Sequence, residues 1–245
     1  MRASSFLVLV LIAPSASRPI AAQTVRRIAP GDVALNASRL HPHADTARIE
    51  WTRDGATRAG PAQIEELDHT VLDGKPAWRH RIRVEGGRFV IDDTTWYEAK
   101  TLRPIRHHSH GPAGYLTVDY SEHRAVGTLD SSGRVTRHDV DLPGGAFDPS
   151  TLHPMIRSLP LGPGAVFVYP VLSTDVWTVR SDTIRVEGAD SVATGAGFVP
   201  TWRLAILAAG RRATYYVRQD DGLDLEVHVD VGPGTAMRIR KSGVK

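Results

Sequence analysis

The stretch RHHSHG, Arg106 to Gly111, holds three histidines within four positions. Neutral imidazole ligates zinc, copper, nickel or iron, and catalytic zinc sites commonly use three protein ligands. If the stretch is extended, His108 and His110 point to one side and His107 to the other, because side chains alternate along a strand. At most two imidazoles then converge. A further ligand would have to come from His41, His43, His123 or His138. Neither an H-E-x-x-H nor an H-x-E with a cysteine pair accompanies them, so His107, His108 and His110 stand as weak metal candidates. The expectation is a polar strand end with histidines facing solvent, and a histidine-based metal-dependent enzyme is the minor alternative. In His41-Pro42-His43 the proline favours extended backbone, which reads as an N-terminal arm.

Other chemistry finds little support in the residues. No G-x-S-x-G nucleophile elbow occurs, and neither a P-loop nor a dinucleotide fingerprint is present. Gly195-Ala196-Gly197 reads as a turn. The paired carboxylates Asp92-Asp93 and Asp220-Asp221 precede a strand and occupy a hairpin turn, where aspartate bonds its own backbone. No catalytic residue and no cofactor is expected.

The tryptophans are the better candidates for a binding role. Trp51, Trp78, Trp96, Trp177 and Trp202 fall in five separate expected strands. Indoles bury much apolar area, so simple core is one reading. The other is that some line a concave apolar cavity. Trp96, Trp177 and Trp202 are the candidates, with Leu204 and Ile206 sharing a strand face with Trp202.

The elements that must position these residues follow a period of two. Leu225, Val227, Val229 and Val231 interleave with Glu226, His228 and Asp230. Similar alternation runs through His80 to Val84, Leu116 to Tyr120, Ile184 to Glu187 and Met237 to Arg240. Alternation means one buried and one wet face, the habit of antiparallel sheets. Asp73-Gly74, Gly86-Gly87, Ser132-Gly133, Asp221-Gly222 and Gly232-Pro233-Gly234 punctuate the runs, which predicts about ten to twelve strands. One segment breaks the pattern. In FDPSTLHPMIRSLPLGPG, Asp148 suits an N-cap and Pro149 a first helical position, while Leu152, Ile156 and Leu159 share a stripe. Pro154 interrupts a regular helix, so a short or broken helix near 148–160 is expected, its apolar stripe plugging the sheet. It separates two halves that weakly echo each other, TTWYEAKTLRPIRHH and ATYYVRQDDGLDLEVHV.

Bulk properties narrow the class. The chain begins with Arg2, an apolar run from Phe6 to Ala13, then small residues to Ala22, the order of a secretory signal peptide over 1–22. The run is shorter than the about 20 residues that span a bilayer, so no transmembrane segment is expected. The expectation is an exported, periplasmic protein of one β-rich domain over 23–245. The absence of cysteine removes disulfides, thiolate metal sites and a lipid-anchored N-terminus. The formal charge is +3 and the arginines are scattered, which reads as solvated strand faces with no nucleic-acid partner.

Three stretches carry a family resemblance: TTWYEAKTLRPIRHHSH, MIRSLPLGPGAVFVYPV, and the strands from Val176 to Lys241. In these the chain resembles the DUF3108 family of exported bacterial proteins, and the architecture is similar to that of the periplasmic lipoprotein carriers. The resemblance implies a mainly β fold, a curled antiparallel sheet forming an open or half β-barrel around a short helical plug. It transfers no catalytic residue. The function expected is a periplasmic binding or carrier module for a lipid or other apolar envelope ligand. The alternative is an envelope interaction or structural protein that docks a protein partner and holds no small molecule.

Overall fold

The computed structural model describes residues 24–86 and 89–242, the side chain of Phe89 excepted. The expected signal peptide, 1–22, lies outside the described residues. Among the described residues fifteen strands form one sheet. In chain order they are β1 (Val25–Arg27), β2 (His43–Arg53), β3 (Ala56–Leu72), β4 (Lys75–Gly86) and β5 (Phe89–Glu98). Then come β6 (Pro104–Gly111), β7 (Gly114–Tyr120), β8 (Arg124–Ser131) and β9 (Arg134–Asp141). Helix α1 (Leu152–Ser158) follows, and then β10 (Val166–Ser173), β11 (Thr178–Thr194) and β12 (Gly197–Ala208). The last are β13 (Arg211–Arg218), β14 (Asp224–Gly232) and β15 (Thr235–Ser242). More strands are present than the sequence suggested, because short strands such as β1 and β6 carry little alternation of their own.

The spatial order is β1-β10-β11-β12-β13-β14-β15-β2-β3-β4-β5-β6-β7-β8-β9. Each half is a meander of hairpins, and the two are joined where β15 pairs antiparallel with β2 from Thr235↔Arg53 to Ser242↔Thr46. Among the fifteen described strands only β1, parallel to β10, departs from antiparallel pairing, and outside them Phe147 bridges Val171 in parallel. The edges β1 and β9 do not pair with each other, so the sheet curls without closing by hydrogen bonds.

This order explains the plug. The chain leaves β9 at one edge and must enter β10 near the other, so the connection crosses the concave face. Asp148 caps a 3-10 turn, Pro149–Thr151, by accepting a bond from the Ser150 amide, and α1 continues from it. Pro154 is tolerated because it falls in the first turn of α1, where amide groups have no partner within the helix. Met155, Ile156 and Leu159 are fully buried against Phe167, Ile184, Leu204, Ile206, Val217 and Val227. Each such side chain contributes about 1.5–3 kcal/mol on leaving water.

A second contact draws the edges together. Trp177, in the turn between β10 and β11, stacks on His138 of β9 at 4.2 Å between ring centroids. Its ring lies over Gly127 of β8, where a Cβ would stand 2.2 Å from the indole. These side-chain contacts add to a short backbone bridge, in which the Phe147 amide of the crossover donates to Pro170 O and Phe147 O accepts from the Leu172 amide of β10. Among the described residues no helix is long and apolar enough to cross a membrane.

Candidate functional site

Alternation places a belt of polar residues on the concave face of β14, β15 and β2 to β6, beneath the crossover. Its centre is Lys241 of β15, with a side chain 3% exposed. The ammonium lies 2.8 Å from Glu65 Oε2, 3.2 Å from Asp45 Oδ2 and 3.3 Å from Asp224 Oδ1. His80 of β4 meets the other Glu65 oxygen at 3.0 Å. From α1, His153 Nδ1 stands 3.5 Å from Glu65 and 3.4 Å from Asp224. Burial pushes the Glu65 carboxyl up, but His153, Lys241 and His80 outweigh it and hold the group well below the usual carboxylate range. Asp224 is lowered the same way, Lys241 and His153 overcoming burial. Burial lowers the pKa of His153, yet Glu65 and Asp224 raise it to about 9. His43, by contrast, is pushed down by burial and by Arg157, whose Nη1 donates to His43 Nε2 at 2.9 Å.

Glu65, His153 and Asp224 present ligand atoms within 4.8 Å of one another, a spacing that a metal ion could draw in. The place a cation would take between the two carboxylates is held by the Lys241 ammonium. The chain supplies its own counter-charge, and the chemistry this performs is the docking of α1 onto the sheet.

A second polar node lies beside it. His107 of β6 is 4% exposed. Its Nδ1 donates to Asp148 Oδ2 at 2.8 Å, and its Nε2 lies 3.1 Å from Asp93 Oδ1. Tyr120 donates to the same Asp148 oxygen at 2.6 Å, and Ser150 to Asp93 at 3.0 Å. Burial lowers the imidazole pKa, but Asp148 and then Asp93 raise it to about 10, so His107 is an imidazolium. The expectation of three solvent-facing histidines therefore fails for His107. The alternation itself is as expected: His108 and His110 sit exposed on the opposite face, where His108 meets Trp96 edge-on at 5.3 Å and His110 stacks on Tyr115 at 4.1 Å. The three imidazoles do not converge on one point.

Past the charged belt the concave face turns apolar and opens into a groove of about 500 Å³. Ile49 and Trp51 of β2, Met237 and Ile239 of β15, Val84 and Ile91 line it. Its floor depends on small residues. A Cβ on Gly60 would sit 3.0 Å from the Trp51 indole, and one on Gly86 would meet Pro61 Cβ at 2.4 Å. The only polar side chain that faces the groove among the described residues is Gln63 of β3. A larger space of about 960 Å³, between the β11–β12 turn and Arg48, Glu50 and Arg240, is lined by charged and apolar side chains together.

The tryptophan candidates separate. Trp202, Leu204 and Ile206 share the concave face as expected, but they pack beneath α1. Trp96 lies on the convex face beside His108, and Trp177 is the clasp between edges. None of the candidates Trp96, Trp177, Trp202, Leu204 and Ile206 lines the apolar groove. Trp51 does, and the signal for it was the run Ala47, Ile49, Trp51 facing Met237 and Ile239 across the β15–β2 seam. That seam pairs the two ends of the chain, so periodicity alone could not reveal it.

A comparison with curated proteins finds no match. The family described as "Protein of unknown function (DUF3108)" matches residues 47–238, which run from within β2 into β15 and include the crossover, Glu65, His80, His153 and Asp224 of the belt and all of the groove lining but Ile239; Asp45 and Lys241 fall just outside the match. The chain belongs to the DUF3108 family.

Proposed function

We propose that the protein is a periplasmic binding or carrier module that takes one apolar chain of an envelope lipid into the groove at the end of its concave face. The observation that carries this reading is the groove itself. Its volume of about 500 Å³ lies in the range of small-molecule sites, and its walls are Ile, Val, Met and Trp side chains. Apolar surface of this kind binds at about 25 cal/mol per Å² before ordering costs. The charged belt supports the reading indirectly, because it keeps α1 over the rest of the concave face and leaves this end uncovered. The alternative, an envelope protein that docks a partner, draws support from the outer edge of β9, which pairs with no other strand.

Titration with a long-chain alcohol, followed by tryptophan fluorescence, separates the two. The carrier reading expects a saturable change that Trp51→Phe abolishes. A flat titration in wild type, with no probe retained on gel filtration, overturns it in favour of the docking protein.

A further inference from the structure

The groove holds one polar side chain whose amide has no partner among the described residues. Gln63 is 7% exposed, and its side-chain amide makes no hydrogen bond to any described residue. Its backbone is satisfied between β2 and β4, opposite Ala47 and Val84. Across the same row lie Lys241 beyond Ala47 and Ile91 beyond Val84, so Gln63 stands at the border between charged belt and apolar groove. Its amide atoms are not sealed from solvent but stand at the open groove, free to bond a ligand, whereas leucine or methionine there would offer apolar contact alone.

Resting on the binding reading above, we infer that Gln63 recognises the head of the ligand and that this head is an amide: the groove takes an N-acyl chain. The primary amide of Gln63 offers both donors and an acceptor, and a secondary amide offers one of each in return. An ester accepts only. A free carboxylate accepts only and also carries charge toward Glu65, which is two positions along β3 on the same face and anionic. Donor and acceptor together therefore favour the amide, and the apolar walls take the acyl tail.

Three probes of equal chain length test this: N-methyldodecanamide, methyl dodecanoate and dodecanoate, each titrated against wild type and Gln63→Leu. Wild type is expected to bind the amide on the order of tenfold more tightly than the ester, and the carboxylate weakest. Gln63→Leu is expected to lose that preference and to bind the ester at least as well as wild type does. N-dodecanoyl glucosamine and an N-dodecanoyl dipeptide then identify the source: the one that shows the Gln63-dependent preference names an acylated sugar or an acylated peptide. Equal binding of amide and ester by wild type, or a preference that survives in Gln63→Leu, overturns the inference while leaving the groove reading intact. Failure of every probe on wild type overturns both.

Discussion

His107 illustrates how much of this protein's interior is governed by charge. It sits between Asp148, which is fully buried, and Asp93. Removing one partner of a buried pair leaves the other charge without compensation, which costs about 3–5 kcal/mol. His107→Ala is expected to lose about that much stability, read from the urea midpoint at constant slope. The pH dependence follows from the same groups. His107 and His153 have folded pKa values of about 10 and about 9, above the about 6.5 of an unfolded histidine. Their contribution is fully present below about pH 6.5 and is lost as pH rises through 9 and 10. Glu65, Asp148 and Asp224 are depressed, so theirs is present above about pH 4.5 and lost as pH falls. The melting temperature should therefore be highest between about pH 4.5 and 6.5 and lower at pH 10. A melting temperature that stays constant from pH 5 to 10 would show that these histidines are not charged in the folded state.

Two hairpins share a turn that the sequence echo only hinted at. After β5, the Glu98 amide bonds Arg103 O and the Leu102 amide bonds Glu98 O. After β13, the Arg218 amide bonds Leu223 O and the Gly222 amide bonds Arg218 O. Each pair of strands also carries a register shift, at Trp96/Tyr97 and at Tyr216/Val217. Leu102 and Gly222 take the corresponding left-handed position, with φ of 55° and 74°. The first tolerates a leucine, whose side chain is buried with Trp78 and Tyr97. The second does not, because a Cβ there would stand 2.7 Å from the Cα of Arg157 in α1. Gly222→Ala should cost about 1–3 kcal/mol through strain and displacement of the helix. Loss of helix docking would be visible as altered near-UV circular dichroism, and an unchanged spectrum with unchanged stability would refute the close approach.

Across the whole molecule, the seam between β15 and β2 is the hydrogen-bonded junction of the two meanders. It also brings Lys241 to the belt and Met237 and Ile239 to the groove, so assembly of the site waits on pairing the two ends of the chain. Contacts of such separation form late, after the local hairpins. A chain ending at Gly234 lacks β15 and exposes the edges of β2 and β14. It is expected to associate, as unprotected edges do, and to lose coincidence between far-UV and fluorescence unfolding curves. A truncated chain that remains monomeric with one shared transition would mean that α1 and the Trp177 clasp hold the halves by themselves.

The sequence by itself determined the strands, the turns and the crossover near 148–160, because alternation, glycine-containing turns and an aspartate cap are local signals carried by neighbouring residues. It also determined that His107 faces away from His108 and His110, since a strand admits no other arrangement. Only the tertiary structure decided which face is charged and which is open. Glu65, Asp224 and Lys241 lie far apart in the chain and resemble the wet side of their strands until the sheet curls and the crossover covers them. The groove is likewise made by rows that run across strands, from Ile239 to Ile49 and from Gln63 to Val84. Register across a seam between distant strands is a property of the assembled sheet, and no pattern within one strand encodes it.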